Sequence, residues 1–286
     1  MEAAVARRMW MVGEPIHALT YFAQESFDAW AAAGIRGFWR GYFATRAAPF
    51  GSTGPELVTA TFYGFEPAMV AKALPSVWDQ ARPAAALEAR LIGMDGALRA
   101  VLGAALDDPA LTRVVDVLRA AVDAAPLGGR PLFAANVALP WPEPTHLALW
   151  HGLTCLREQR GDSHVAALVA ADVDGCQAHI LAGAAGGSPR ETIQPTRGWS
   201  DEQWDGAMAR LAARGILAAD GAITSEGIAL HRAIETRTDE LAVEPWAPVG
   251  AEATAAVAAA LLPLARRIQA AGIIRQPNPM GLPPLD

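Results

Sequence analysis

Lysine is nearly missing from this chain of 286 residues: Lys72 is the only one, against 22 arginines. With alanine abundant, this bias goes with a GC-rich genome rather than with a functional choice. Cysteine is almost as scarce. Cys155 and Cys176 are too few for a disulfide framework or a metal quartet, which leaves a reducing cytoplasm as the expected compartment and two core residues as their expected role. His146, His151 and His179 accompany them, but no CxxC or HxxxH pair supports a tetrahedral metal site, so no metal is expected. His17 or His164 lacks any signature for haem ligation, and no cofactor is expected. No uninterrupted apolar run reaches the ~20 residues that cross a bilayer, and Met9 to Gly13 is too short for a signal-peptide core. The glycines of AGAAGGSP, around Gly183, Gly186 and Gly187, follow no strand and precede no Lys-Ser/Thr, which excludes a phosphate-cradling loop. No serine lies in a nucleophile elbow.

Half the residues are apolar, enough for one large or two ordinary domains with a real core. The first 140 residues carry no useful strand period. They divide at single Pro or Gly breaks into helices over Glu2–Val12, Pro15–Gln24, Ser26–Ala33, Arg36–Ala48, Pro55–Tyr63, Glu66–Leu74, Ala84–Leu106 and Pro109–Ala124. Leu127 to Pro131 reads as a loop and Asn136 to Glu143, with two prolines, as a boundary. A helix over Thr145–Gln159 follows, ending at Gly161, with Asp162 or Ser163 opening the next.

From Gly198 to Asp239 the pattern is helix, short two-stranded ribbon, helix. Ser200 is an N-cap with Gln203 in capping-box position, and Asp201 and Glu202 suit the positive end of the helix dipole. Trp204, Met208 and Leu211 form one apolar stripe, and Arg214-Gly215 ends the helix. Ile216-Leu217 and Ala222-Ile223 flank Asp220-Gly221, a tight-turn dipeptide. Thr224 or Ser225 then caps a helix with Ile228, Ile234 and Leu241 on one face and Arg232, Glu235, Arg237 and Glu240 in solvent.

This segment resembles the recognition helix, wing and following helix of a MarR-type winged helix. His164 to Ala184, HVAALVAADVDGCQAHILAGA, is similar to the helix pair that precedes them. With RRMWMVGEPIHALTYF and GFWRGYFATRAAPFG, nearly the whole chain resembles an actinobacterial helix-turn-helix family whose members are mostly uncharacterised. The resemblance implies a fold rather than an activity. The expected architecture is mainly α: an all-helical N-terminal domain (1–140) packed on a winged helix-turn-helix module with a small two-stranded wing (145–241). A packing or dimerisation helix (252–272) and an extended tail (276–286) follow.

Charge argues against the partner such a fold usually takes. Thr145 to Leu241 holds 13 acidic and 8 basic residues, a net of −5, and Asp201, Glu202 and Asp205 outnumber Arg210 and Arg214 in the recognition helix. Duplex DNA demands phosphate neutralisation, and base contacts usually arise at the N-terminal end of that helix, here its acidic end. A dimer gathering Arg157, Arg160, Arg190 and Arg197 onto one face would be needed for a MarR-like transcriptional regulator.

Two clusters offer a ligand site instead. Glu14, His17 and Tyr21 share one helical face, and Trp39, Phe43 and Arg46 another, with Arg36 and Arg40 beside them. An aromatic core with a buried His and its carboxylate is the plain alternative. The second cluster is Glu158, Arg160, Asp162 and His164, where a cap and salt-bridge network is the alternative. The expected function is binding of a small, partly apolar organic ligand by a sensor or accessory protein that has given up DNA. The alternatives are the regulator, and an enzyme using His17 with Glu14 or His164 with Asp162. No membrane partner is expected.

Overall fold

A computed structural model describes residues 1–285; the last residue of the expected tail, Asp286, lies outside the described residues. The chain forms fourteen α-helices among those residues, joined by short turns. Helix α1 (Ala4–Phe22) is one element where two are expected from the sequence, because Pro15 sits inside it rather than opening a second helix. Pro15 forfeits one intrahelical hydrogen bond, and burial of Met9, Val12, Ile16 and Leu19 offsets the loss. As a result, Trp10, Glu14, His17 and Tyr21 line one stripe of a single rod.

Helices α2 (Gln24–Ala32), α3 (Phe38–Ala47), α4 (Pro55–Phe62) and α5 (Pro67–Ala71) follow, three of them close to their expected bounds. They close an aromatic core around Trp30, Phe43, Phe62 and Phe65. Helices α6 (Pro83–Leu102) and α7 (Ala110–Ala124) pack with α1 into the largest core. Helix α8 (Pro131–Val137) fills the stretch between the expected loop at Leu127–Pro131 and the expected boundary at Asn136–Glu143, overlapping each at its end.

The main departure from expectation is α9 (Thr145–Ala170), a continuous 26-residue helix that runs through the expected break at Gly161. A helical glycine costs roughly 1 kcal/mol against alanine, a small loss for a helix buried on most of its circumference. Asp162 is therefore no N-cap for its own helix. Its Oδ2 accepts the Phe133 amide at 2.9 Å and so caps α8 from outside. The first half of α9 belongs to the largest core, with Trp150 and Leu149 fully buried. Its last turns, at Ala167 and Leu168, belong to a separate core with the helices that follow.

Those helices are α10 (Gly175–Ala184), α11 (Arg190–Arg197), α12 (Asp201–Ala213) and α13 (Ser225–Ala242). Capping boxes open α10 at Asp174/Gln177 and α12 at Ser200/Gln203, and the Thr224 hydroxyl caps α13 at Gly227. The expected two-stranded wing does not form: no β-strand occurs among the described residues. Leu217 and Ile223 make one isolated antiparallel bridge, flanked by Ala218 N–H to Ala222 O at 2.8 Å and Thr224 N–H to Ile216 O at 3.1 Å. The arms are two residues long and are consumed at both ends by helix closure. Gly215 turns the chain at a φ of 72°, and the Thr224 hydroxyl bonds the Gly215 carbonyl while also capping α13. Strands are usually about 3–10 residues long, most often five or six. On α13, Ile228 is exposed rather than packed, and the inward stripe is Ile234, Thr238 and Ala242.

Helix α14 (Ala251–Ala270) lays Val257, Leu261, Leu264 and Ile268 into the largest core. The tail is fastened after it. Asn278 is buried, its Oδ1 accepts from the Met280 and Leu282 amides, and its carbonyl accepts from the Ser188 hydroxyl at 2.6 Å.

The joint between the N-terminal helices and the α10–α13 unit is the loop Tyr63–Glu66. The Tyr63 hydroxyl donates to Val173 O at 2.7 Å, the Gly64 carbonyl meets His179 Nε2 at 2.9 Å and accepts from Trp199 Nε1 at 3.0 Å, and the Glu66 amide donates to Arg197 O at 2.9 Å. A Cβ on Gly175 would overlap the Tyr63 carbonyl oxygen. Backbone cannot yield as a side-chain tip can, so Gly175→Ala is expected to cost about 2–4 kcal/mol. Urea denaturation checks this, and a loss under about 0.5 kcal/mol would show that the joint is loose.

Candidate functional site

Glu158 lies on the inner face of α9, essentially without solvent contact, between two guanidinium groups. Arg46 of α3 reaches it as a fork, Nε to Oε1 at 2.9 Å and Nη2 to Oε2 at 2.8 Å, and Arg157 adds Nη1 to Oε2 at 2.9 Å. Burial works to raise the Glu158 carboxyl, but Arg157 and Arg46 outweigh it and hold the group well below the usual carboxylate range. Conversely, burial works against both cations, and Glu158 keeps Arg46 and Arg157 charged. Arg46 also lies over the Phe62 ring at 4.1 Å and donates to the Tyr42 hydroxyl at 3.1 Å. Arg157 turns towards Glu14 of α1 at 3.5 Å. One carboxylate thus ties α9 to α3 and, through Arg157, to α1.

Beside this cluster opens a cavity of about 520 Å³, within the range of small-molecule sites. One wall is aromatic, with Tyr42, Phe62 and Phe65, the other comes from α9, α10, α11 and α13, and Trp10 lies beneath Arg7 and Arg160. Pro279 to Gly281 of the fastened tail close part of its rim. Its lining holds Arg7, Arg46, Arg157, Arg160 and Arg197 against three carboxylates, Glu158, Asp162 and Glu235. Just outside the lining, Asp239 answers Arg7 and Arg160, and Glu14 faces Arg157.

The far end is a second ion-pair group. Arg160 bonds Asp239 at 2.6 Å, and Arg7 bridges Glu235 and Asp239. Glu235, expected in solvent, is instead half-buried here. His164 Nδ1 is 2.9 Å from the Thr238 hydroxyl and 4.0 Å from Glu235. Burial lowers the His164 pKa despite Glu235, so the ring is neutral near pH 7.

Of the residues singled out in the sequence, Arg46, Glu158, Arg160 and His164 line the cavity, and so does Asp162. Tyr21 stands behind the aromatic wall, 4.9 Å from the Tyr42 ring, and Trp39 packs on Tyr42 and Phe65. Phe43 is fully buried in the aromatic core. Arg36 and Arg40 point into solvent on α3 and the turn before it. Glu14 and His17 are buried beneath the cluster rather than in the cavity wall. Neither proposed acid–base pair is bonded among the described residues. His17 Nδ1 meets Thr154 Oγ1 at 3.0 Å, and its ring stacks on Trp150. Asp162 is spent on α8, and burial raises its carboxyl to about 6 against the Phe133 amide bond. Arg7, Arg197, His179 and the tail residues carry no signal of a site in the sequence, because nothing in their local spacing marks a wall assembled from eight separate segments.

A family model described as a helix-turn-helix family matches residues 6–275. No curated protein and no solved structure matches the chain.

Glu158→Gln would leave Arg46 without a buried anion and Arg157 with Glu14 alone, at 3.5 Å, and a loss of about 3 kcal/mol is expected in denaturant unfolding. A neutral outcome would mean that the cluster is not dry. Acid should weaken the fold earlier than carboxylates alone require. Burial holds His17 well below its ordinary value, His151 at about 4 and His179 at about 3. These rings are neutral when folded and take up protons on unfolding, so their contribution is complete above about pH 6.5 and is lost as pH falls below it. For His151 the loss at pH 5 is about 2 kcal/mol. Asp162, raised in the fold, works in the opposite direction below about pH 6, and Glu158 adds to the loss only below about pH 4.5. Unfolding free energies at pH 7.5, 6 and 5 should fall stepwise; a flat profile would count against neutral buried imidazoles.

Proposed function

The chain belongs to the helix-turn-helix family, and from that premise we propose that it binds a small, partly apolar organic molecule and acts as a sensor or accessory protein. The observation that carries this reading is the cavity of about 520 Å³ between the aromatic helices and the α9–α13 unit. A molecule seated there would touch α9, α10, α11 and α13 together with the Tyr63–Glu66 joint. Occupancy would thus bear on how the helix-turn-helix unit sits against the N-terminal helices.

The family match also supports a DNA-binding or regulatory role, and this is the second reading. Against direct DNA binding stands the outward surface of α12. Arg190 is engaged by Asp201 at 2.9 Å and Asp205 at 2.8 Å, and Arg210 by Asp174 at 2.7 Å. Arg214 caps the end of α9 through the Ala171 and Asp172 carbonyls. Phosphate contacts draw on free cations, and the arginines around this helix already answer carboxylates or carbonyls of the same chain.

The test uses N-phenyl-1-naphthylamine, a neutral probe that brightens in apolar sites. The wild-type chain is expected to bind it at a stoichiometry near one, and Ala178→Trp, which places an indole in the cavity, is expected to abolish binding while the chain stays folded. Absence of binding to the wild type would overturn the ligand reading. Fluorescence anisotropy with duplexes from the gene's own promoter region should show no tight, sequence-selective binding at low or moderate salt. Such binding would make the regulator the primary reading.

A further inference from the structure

The lining of the cavity contains five guanidinium groups, and four of them are answered. Arg46 and Arg157 share Glu158, Arg157 also faces Glu14, and Arg7 and Arg160 are held by Glu235 and Asp239. The fifth, Arg197 at the end of α11, has no carboxylate within 4.0 Å among the described residues. Its hydrogen bonds go to neutral oxygens: Nη1 to the Thr196 carbonyl and hydroxyl, both at 3.3 Å, and Nη2 to the Pro279 carbonyl at 3.0 Å. Its Nε makes none. The group lies 4.7 Å over the Phe65 ring.

This is an expensive place for a lone cation. Burial pulls the Arg197 pKa down to about 10, and the nearby charges of Arg46 and Arg157 push in the same direction, with only Tyr42 opposing them. A guanidinium carries five N–H donors in a fixed fork suited to a planar anion. Arg90, a fully buried arginine that also has no carboxylate, lies over Trp150 in the core and does not reach the cavity, whereas Arg197 is half-buried in its wall.

We propose that Arg197 seats the charged group of an organic anion whose apolar body lies along Tyr42, Phe62 and Phe65. The inference rests on the cavity reading above and sharpens it: the ligand class is a planar, singly charged carboxylate or its equivalent, and α11 reads the charge. The four paired arginines are fixed by their own carboxylates and shape the wall. Arg197 is free to exchange a neutral carbonyl of the tail for an anionic oxygen, the stronger acceptor. The Pro279 segment therefore sits where ligand entry would be felt.

The experiment compares 2-naphthoate with its neutral isostere 2-naphthamide by isothermal titration calorimetry. Wild type is expected to hold naphthoate at least 10-fold more tightly. Arg197→Gln should erase that preference while leaving naphthamide affinity within about twofold, and Arg197→Lys should recover most of it. Equal affinities in the wild type, or a preference that survives Arg197→Gln, would overturn the seat while leaving the cavity reading intact. If N-phenyl-1-naphthylamine binds and neither naphthalene derivative does, the seat is also overturned. If none of the three binds, the cavity reading fails and the seat fails with it. Thermal denaturation establishes that each variant is folded, and the wild-type comparison with the lysine rescue stands even should Arg197→Gln not fold.

Discussion

Glu158 is the residue on which the arrangement depends. A buried carboxylate flanked by two arginines is poor evidence of net stability, since taking three charges out of water offsets much of their attraction. Its effect here is to dictate geometry. Arg46 has to approach as a fork, which fixes the rotation of α3 about its axis and sets Tyr42 and the Phe62 ring on the cavity side. Arg157 has to lie along α9 and turn towards Glu14, which fixes α1. An apolar substitute of similar volume could fill the same space but would leave these rotations free.

The continuity of α9, which its burial sustains, serves the same arrangement. Glu158 stands three residues before Gly161, with an oxygen 3.5 Å from where a Cβ would lie on that glycine. Gly161 keeps the helix surface low beside the cluster, and the helix continues to His164, which faces Thr238 of α13. A single rod thereby presents the arginine cluster at one point and the His164 group one to two turns later, on the wall of one cavity. Had the chain broken at Gly161, these two groups would have belonged to separately oriented helices.

What could be read from the sequence was local. The caps at Ser200 and Thr224, the stripe of α12 and the helical character of the first 140 residues depend on neighbours within a few positions, and the chain obeys them. The breaks at Pro15 and Gly161 were misread because a helix stop is a local preference of roughly 1–3 kcal/mol, which burial on several sides overrides. The wing was misread because Asp220-Gly221 specifies a turn and says nothing about whether its arms are long enough to pair. In the site, the spacing of Glu14, His17 and Tyr21 correctly placed them on one face, but which face turns to the cavity depends on α9. Arg197 carries no signal at all in PTRGW, since its lack of a carboxylate partner emerges only when the lining is assembled.

The distribution of charge separates the two surfaces that a helix-turn-helix chain can use. On α12 the acidic residues are outward and occupy the arginines around them, so that face offers little free positive potential. In the cavity one guanidinium is left with only carbonyl and hydroxyl oxygens. Arginine replaces lysine along the whole chain, but that bias does not account for where the unpaired charge falls. Positive charge withheld from the exposed helix and left unanswered in a partly open cavity would favour a partner small enough to enter and negative enough to complete the pairing. A polyanion such as duplex DNA meets only the second condition.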